Sequence, residues 1–588
     1  MMKRGGAVHV VRVVKSHTDK HGQERVYRSA YLRRTYREGG KVRNETVANL
    51  SALPGHVVDF IDAGLKGRHL VPADAVATIT RSLPHGHVAA VFAQAKALGI
   101  PALLGPACGQ RDLALALVIA RVCRPGSKLA TTRWWADTTL AEDLGVAGAT
   151  TDEVYAAMDW LAGRQETIEK ALAKRHLSPE ANPDRLALFD LSSSWVTGHK
   201  CPLAARGYSR DGKKGLEQIE YGLLTDPEGR PVSVRVVPGN TADPAAFEAL
   251  AKDFKTRYGL ADMVMVGDRG MITSARIEQL KELGGLGWVT ALRAPAIQAL
   301  AADDGPLQMS LFDEQDLAEI AHPDYPGERL IACRNPLLAA ERARKRTALL
   351  AATDTELAKI TAAAEAGRLK DAGKIGVRAG KVVGRYKMEK HYTLTIGDTS
   401  FAYARNEEQI AAEAALDGIY IIRTTIQDTH MDAGQVVATY KSLANVERDF
   451  RSIKAIDLDL RPIHHHTETR VRAHVFICML AAYLTWHLRR AWAPLTFTDE
   501  NRPEPENPVA PAKRSAAAQT KASRRTTPDG HPAHSFRSLL DHLGTLTRNE
   551  IRYGAEETAP LIPTLAVPTP IQHKAFDLIG QSFPLTLK

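Results

Sequence analysis

Residues 185–195 read RLALFDLSSSW, an apolar run that reaches Asp190 and then turns polar. Its length and its leucine and phenylalanine content predict a buried β-strand. A second apolar run, DMVMVGDRGM at 262–271, also reaches an aspartate, Asp268, before a glycine. One aspartate at a strand end is most often a turn-capping residue. Because the pattern occurs twice, it favours a site in which the two carboxylates act together, for example on a metal ion.

The segments between and after these runs alternate in a defined order. Two strand-like runs, 219–226 and 231–237, flank a turn at Pro227, Glu228, Gly229 and Arg230. Residues 239–259 predict a helix with Asp243 at its N-cap and Pro244 at its first position. A further helix over 274–284 and a strand over 287–294 follow Asp268.

Three strands joined by hairpins, then helix, strand, helix and strand, is the order of the ribonuclease H-like fold, an α/β architecture. In that fold the first and fourth strands are neighbours, so we expect Asp190 and Asp268 to lie close together. Two like charges at that separation are unfavourable unless a cation neutralises them. The fold therefore predicts a cation site.

Residues 431–454, MDAGQVVATYKSLANVERDFRSIK, predict one long helix. At 100° per residue, one stripe carries Tyr440, Leu443, Glu447, Arg451 and Lys454. A carboxylate flanked by bases suits a phosphodiester, since the acid holds a divalent cation and the bases contact phosphates. A surface helix with an ion-pair stripe explains this pattern equally well.

Together these motifs resemble the DDE transposases of bacterial insertion sequences, in the branch with a Tyr, Arg, Glu, Lys signature on the last catalytic helix. The matching residues are Asp190, Asp268, Tyr440, Glu447 and Lys454. PGNTADPAAF and DLRPIHHHTETRVRAH are also similar to that branch, and the resemblance covers roughly 185–293 and 415–490. The signature's arginine position holds Leu443 instead, which puts one phosphate contact in doubt.

The resemblance implies that Asp190 bridges two Mg²⁺ ions, that Asp268 and Glu447 each complete one, and that Mn²⁺ can substitute. Tyr440 and Lys454 would hold the phosphate beside the scissile bond. Arg451 or Arg448 is the expected substitute for the missing arginine. We also expect DNA contacts from basic residues near the two aspartates, namely Arg210, Lys213, Lys214 and Arg269.

The charge of +10 and pI of about 9.2 favour a polyanionic partner. Residues 1–50 hold twelve Lys and Arg against four Asp and Glu. They alternate as strands, with a hairpin turn at Glu38–Lys41. Arginines interleaved with Tyr27, Tyr31 and Tyr36 suit contact with double-stranded DNA, although a soluble hairpin with a charged face has the same pattern.

From Pro54 to about Arg175 the pattern is helical. Between two of the helices the basic turn RPGSKLATTRWW carries Lys128, Arg133, Trp134 and Trp135. Arg133 and its neighbours are candidates for reading DNA bases. Tryptophan pairs are more often part of the core, so both interpretations stay open.

Positions 269–446 separate Asp268 from Glu447, far more than the fold needs, which predicts an inserted domain. Its clusters at 342–346 and 385–390 suit either a DNA end or solvent. The expected organisation is a basic β-rich region (1–53), a helical DNA-binding domain (54–180), the core's first part (181–293), an insertion domain (294–413), the core's second part (414–497), a disordered basic linker (498–532) and a C-terminal helical region (533–588).

The start of the chain is too short and too charged for a signal peptide, and the most apolar helix, 475–488, is too short to span a membrane. The five cysteines form no Cys-x-x-Cys pair, which fits a reducing cytoplasm. We expect a cytoplasmic transposase that binds terminal inverted repeats, acts as a homodimer on DNA and contacts no membrane. The alternatives are a ribonuclease H-like nuclease that cuts without joining and a non-catalytic DNA-binding repressor.

Overall fold

The computed structural model describes residues 6–588 except 19, 21–23, 69–76, 214, 242–257, 259–262, 274–276, 279–280, 283–285, 303–304, 314, 504, 506 and 555–556. The chain divides into two units. One comprises Met1–Ser82 with Arg548–Leu565, and the other comprises Leu83–Thr547 with Ala566–Lys588.

The smaller unit is built on two three-stranded sheets. Strands β1 (Ala7–Thr18), β2 (Glu24–Glu38) and β3 (Lys41–Asn49) form the first, and helix α1 (Gly55–Leu65) follows. The predicted hairpin between β2 and β3 is confirmed, with φ of 59° at Gly39 and 79° at Gly40. A type I′ turn needs positive φ at both central residues, which glycine adopts without strain. The second sheet joins β4 (Ala77–Pro84) to the chain's last two strands.

The larger unit contains an eight-stranded sheet that begins as predicted. Strands β5 (Leu186–Trp195), β6 (Gln218–Thr225) and β7 (Pro231–Pro238) pair antiparallel as successive hairpins. Strand β8 (Val264–Val266) lies parallel to β5, and β9 (Gly287–Ala291) lies parallel to β8. The predicted adjacency of the first and fourth strands is therefore confirmed, and the sheet is mixed. The helix predicted over 239–259 falls almost entirely outside the described residues, as does most of the one over 274–284.

Part of the predicted insertion domain, 294–413, belongs to the main sheet in the structure. Strands β10 (Leu317–Ile320) and β11 (Arg329–Arg334) extend the main sheet through β14 (Ile419–Thr424), which pairs with β9. The hairpin β12 (Tyr392–Ile396) and β13 (Phe401–Arg405) stays apart and packs with two helices around a separate core. The two helices are Pro336–Glu365 and Ala372–Tyr386, and Gly397 lies in the turn between β12 and β13.

Helices α2–α8 precede the central sheet and share a core with it. Several begin at side-chain caps, such as the capping box of Thr150 and Glu153. In chain order, α2–α8 span Gly86–Ala97, Ile100–Leu104, Gly109–Cys123, Lys128–Ala136, Thr139–Leu144, Thr151–Ala162 and Gln165–Leu177. The later helices α9–α18 span Ala294–Leu300, Pro336–Glu365, Ala372–Tyr386, Glu407–Ala415, Ala433–Lys441, Leu443–Arg451, Glu468–Ala491, Ala516–Arg524, Phe536–Gly544 and Pro570–Leu578.

Two expectations for the C-terminal region are wrong. The segment 498–532, predicted to be disordered, contains α16, whose buried Lys521 donates to Glu500 at 2.7 Å. Low hydrophobicity predicted disorder, but Lys521 also donates to the carbonyl groups of Ala493 and Thr498, which ties α16 to the residues before it. The region 533–588, expected to be helical, also contains strand β15 (Thr547–Tyr553), which follows helix α17 and pairs with β16 (Leu561–Leu565).

Among the described residues one helix, α15, has the length and apolar composition of a membrane span. However, 83% of its most apolar 18-residue window is buried inside the protein. It packs against β7, α4 and α7, so it is a core helix.

Candidate active site

Asp190 and Asp268 are aligned by the parallel pairing of β5 and β8. Leu188 lies opposite Val266, and each aspartate is two residues further along its chain, at the same level of the sheet. The strand does not end at Asp190 as predicted, because β5 continues to Trp195 in antiparallel pairing with β6. Asp190 is therefore held inside a strand, with its Oδ1 accepting a hydrogen bond from the Leu191 N–H at 2.7 Å.

Asp268 lies in a tight turn directly after β8, and its side chain is exposed. Its Oδ1 accepts hydrogen bonds from the N–H groups of Gly270 at 2.5 Å and Met271 at 3.2 Å. A Cβ at position 270 would lie 2.9 Å from that oxygen, so glycine permits the close approach. The turn fixes one carboxylate oxygen of Asp268 and leaves the other for a ligand.

Glu447 is on α14, whose buried face packs on β5 and β6 through Val446 and Phe450. The Phe450 ring contacts that of Tyr221 at 5.7 Å between centroids. Glu447 itself is exposed. The packing of α14 thus fixes the backbone that carries the third acid, while its carboxylate stays accessible.

The charges of Asp268 and Glu447 act on the carboxyl group of Asp190. Burial raises the pKa of Asp190 to about 7. The Leu191 hydrogen bond opposes this rise, the charges of Asp268 and Glu447 add to it, and Arg210 lowers it. Raised acid pKa values of this kind are typical of clustered carboxylates that await a cation.

Tyr440, at the end of α13, belongs to the same neighbourhood. Burial raises its pKa to about 12, the charges of Asp268 and Glu447 raise it as well, and Arg269 lowers it. Its hydroxyl therefore remains protonated near neutral pH, and it can donate a hydrogen bond to an anion held near the acids.

The donor chemistry of the three acids fits a divalent cation, because carboxylate oxygens are the ligands that Mg²⁺ and Mn²⁺ prefer. A cation would also offset the repulsion among them. Within the described ranges, no three carboxylate, imidazole or thiolate side chains already lie close enough to hold a metal ion.

The prediction of one continuous helix with Lys454 on the acidic stripe is wrong. The helix is interrupted at Ser442, which separates α13 from α14, and residues Ser452–Ile456 form a π-helical turn. A π turn has wider spacing than 3.6 residues, so the stripe does not continue past Arg451. Lys454 is buried, and its Nζ donates to Asp211 Oδ1 at 2.9 Å.

Asp211 and Arg461 complete this cluster and were missed from the sequence. The guanidinium of Arg461 also forms an ion pair with Asp211 and lies over the Trp195 ring at 5.1 Å. The only signal was a lone acid in the basic loop SRDGKK. Its partner at 454 is 243 positions away.

The other predicted DNA contacts differ in accessibility. Arg451 and Arg448 are exposed, and Arg448 donates to Asn445 at 3.2 Å. Leu443, at the signature's arginine position, packs against the core. Arg269 is exposed beside Asp268.

The basic loop after β5 is also near the acids. Arg210 is 3.7 Å from Glu220 and acts on Asp190. Lys213 lies over the Trp195 ring at 5.6 Å. Lys214 is outside the described residues.

The predicted basic turn around Arg133 is helix α5. Arg133 is exposed, whereas Trp135 is in the core at 1% exposure, which favours the core interpretation for that tryptophan. Lys128 is buried as well. Of Arg133, Trp135 and Lys128, only Arg133 is exposed and can contact a partner.

A family model described as "Transposase DDE domain" matches residues 183–484, just over half of the chain. A second, described as "IS1634 family transposase, N-terminal domain", matches residues 14–68. The first match includes Asp190, Asp268 and Glu447. No curated protein matches the chain.

Proposed function

The chain belongs to the DDE transposases, metal-dependent enzymes that cut DNA, and from that premise we propose the particulars of its reaction. It binds the terminal inverted repeats of an insertion sequence and cleaves a strand at each end. It then directs the freed 3′-OH at target DNA. The proposal includes a homodimer on DNA and action in the bacterial cytoplasm at the nucleoid.

The observation that carries the proposal is the grouping of Asp190, Asp268 and Glu447: the paired strands β5 and β8 bring the two aspartates together, and the charges of Asp268 and Glu447 act on Asp190. Three carboxylates grouped in this way form an anionic centre that a divalent cation would neutralise. Phosphoryl transfer on DNA needs this kind of centre, because negative charge builds up on the scissile phosphate.

We assign Asp190, Asp268 and Glu447 to two Mg²⁺ ions, with Mn²⁺ as a substitute. When bound, the ions supply Lewis-acid stabilisation of the developing charge on the phosphate. Tyr440 donates a hydrogen bond to a phosphate oxygen, since its hydroxyl stays protonated. Arg269 and Arg451 contribute positive charge from exposed positions. Lys454 is not assigned to the phosphate, and its role is to hold the loop of Asp211.

The basic N-terminal sheet supports end binding. Tyr27 is 55% exposed on β2, and Arg33 lies over the Tyr31 ring at 5.6 Å. Some of its arginines are paired with acids, as Arg34 is with Glu45 at 3.7 Å. Guanidinium groups next to aromatic rings suit contact with the sugar-phosphate backbone.

The test uses duplex DNA carrying the inverted repeats that flank the coding region. Asp190→Asn, Asp268→Asn and Glu447→Gln should each lower metal-dependent cleavage by about a thousand-fold, equivalent to ~4 kcal/mol of lost transition-state stabilisation. Binding in a gel shift should stay within about threefold of wild type, since affinity comes from phosphate neutralisation.

Glu408→Gln, an exposed acid on α12, is the matched control and should cut at the wild-type rate. Joined products from a pre-cleaved end would separate a transposase from a nuclease. Binding without metal-dependent cutting by the wild-type protein would instead favour a repressor. If Glu447→Gln cuts normally, the assignment of the third acid is wrong.

A further inference from the structure

Residues 507–528 contain five Lys and Arg and no Asp or Glu. One of the five, Lys521, is buried and bonds to Ala493, Thr498 and Glu500. The other four are exposed, namely Lys513, Arg514, Arg524 and Arg525. None of these four forms an ion pair with an acid in the described part of the chain. The segment therefore presents four positive charges that the protein itself does not neutralise.

The start of this segment is fixed to α13 and to the beginning of α10. Val509 is fully buried, and its carbonyl accepts a hydrogen bond from Asn335 Nδ2 at 3.2 Å. Lys441, on α13, donates to the carbonyl groups of Pro508 and Ala510. The backbone that leads to Lys513 is thus held against the larger unit.

Both ends of α16 are fixed as well. At its start, the Ser515 hydroxyl accepts a hydrogen bond from the Ala518 N–H at 3.1 Å and donates to Asp499 at 2.7 Å. At its end, Arg525 has a φ of 56°, and its carbonyl accepts a hydrogen bond from the Ala533 N–H at 2.9 Å. The backbone that carries the four exposed bases is therefore ordered before any partner binds, which lowers the entropic cost of binding.

Arg502 connects this basic surface to the catalytic helix. Burial lowers the pKa of Arg448 on α14, and the charge of Arg502 adds to that effect. Arg502 also acts on Asp499, the acid that holds Ser515. A polyanion that follows the exposed bases from α16 would reach the helix that carries Glu447.

The composition of the segment favours contact with a DNA backbone. Lys and Arg neutralise phosphates, and such contacts carry no sequence information. Residues 507–528 contain no aromatic side chain. The N-terminal sheet differs, because there Arg33 lies over the Tyr31 ring. The two basic regions therefore suit different parts of the DNA.

We propose that the exposed bases of 507–528 bind the backbone of duplex DNA that lies outside the terminal repeat. Two such duplexes take part in the proposed reaction, the DNA that flanks the element and the target DNA, and both offer the same phosphates. The inference rests on the proposed function. It gives the segment that was expected to be a disordered linker a defined task.

The experiment uses two double variants of the full chain, Lys513→Gln with Arg514→Gln and Arg524→Gln with Arg525→Gln. The matched control, Lys170→Gln with Lys174→Gln, also removes two charges. Lys170 and Lys174 are exposed on α8 and have no acid partner among the described residues. Since all these side chains are exposed, the melting temperatures should match that of wild type. Arg524→Lys with Arg525→Lys keeps both charges and should bind as wild type does.

Three DNA substrates separate the possible sources of the phosphates. On end DNA that stops at the repeat boundary, all proteins should bind within about twofold of one another. If the segment binds the flank, each test variant should lose about five- to tenfold in affinity near 0.1 M salt on an end that continues into flanking DNA. The slope of log K against log[salt] should fall by up to about 1.8, two phosphates at ~0.9 each. If it binds the target, the loss should appear instead when a complex on a pre-cleaved end captures a target plasmid.

Test variants that match the Lys170 and Lys174 control on both the flanked end and the target would overturn the proposal. A loss already as large on the repeat alone would also overturn it, because the segment would then contact the repeat. In both cases cutting and joining by the wild-type protein would still uphold the proposed function. A wild-type protein that neither binds nor cuts end DNA would overturn both.

Discussion

Lys128 and Lys454 are both buried, at 5% and 7% exposure, but their surroundings differ. Lys454 donates to Asp211, which also pairs with Arg461. Lys128 lies 3.2 Å from His474 Nδ1, and no carboxylate lies within 4 Å of it in the described ranges. Burial lowers the pKa of both, but for Lys454 the hydrogen bond to Asp211 opposes that change. For Lys128 burial and the nearby Arg121 lower the pKa to about 7.

The comparison teaches that burial alone does not decide what a buried cation does. A lysine with a carboxylate partner keeps its charge and ties two chain segments together. A lysine without one loses its charge near neutral pH and acts mainly as a long apolar side chain. The two residues should therefore respond differently to substitution and to pH.

The largest expected effect is on Lys454. Lys454→Ala leaves Asp211 with Arg461 alone, and one Asp211 oxygen is already buried without a hydrogen bond. Breaking a buried pair typically costs ~3–5 kcal/mol, and because Arg461 remains, we expect a loss of about 2 kcal/mol in the free energy of unfolding. Urea denaturation measures it.

Arg451→Ala is the matched control for that experiment, since Arg451 is exposed three residues earlier. It should change stability by less than ~0.5 kcal/mol. In the double variant Asp211→Asn with Lys454→Ala, the losses of the two single variants should not add, because both substitutions break the same ion pair. Equal losses for the two single variants would mean that Lys454 is no better paired than a surface cation.

The same pair shows how far the sequence could predict the structure. The adjacency of β5 and β8 was predictable because both segments are buried runs that reach an aspartate, and their order along the chain allows few sheet arrangements. The contact between Lys454 and Asp211 was not predictable, since it joins residues 243 positions apart. Local periodicity carries no information about such a partner.

Two other features of the catalytic segment could not be predicted from the sequence either. Nothing in the residue pattern interrupts the helix at Ser442, whose hydroxyl donates to the Thr439 carbonyl at 2.6 Å. The π turn is closed by the N–H of Asp457, which donates to the Ser452 carbonyl at 3.1 Å. Strand β10 is only four residues long, too short for its alternation to be distinguished from a loop.

The second prediction concerns the pH response of Lys128. Its pKa is about 7 in the folded protein and ~10.4 when unfolded. Between those values the unfolded state binds more protons, so stability rises with pH. Relative to Lys128→Met, which has no titrating group there, the wild-type free energy of unfolding should increase by ~1–2 kcal/mol from pH 7 to pH 9.

Urea denaturation of both proteins at pH 6, 7.5 and 9 tests this. Below pH 7 the lysine is charged in both states, so the difference between the two proteins should stay constant there. Parallel curves across the whole range would show that Lys128 keeps its charge in the fold and that His474 is a sufficient partner.

The smallest effect is expected at Arg451. Unlike Lys454, this residue should affect the affinity for DNA and not the stability of the fold. Arg451 is exposed on α14, and no ion-pair partner lies near it among the described residues. If it substitutes for the arginine missing at Leu443, Arg451→Ala should weaken binding to end DNA by about three- to fivefold and lower the salt dependence by about one phosphate. Its melting temperature should match that of wild type.

Leu443→Arg should not compensate for Arg451→Ala, because the side chain at position 443 packs against the core and a charged side chain would have to leave it. A gel-shift titration at several salt concentrations decides between the outcomes. Unchanged affinity in Arg451→Ala would leave the exposed end of this helix without a role in DNA contact, and would direct attention to Arg448 beside it.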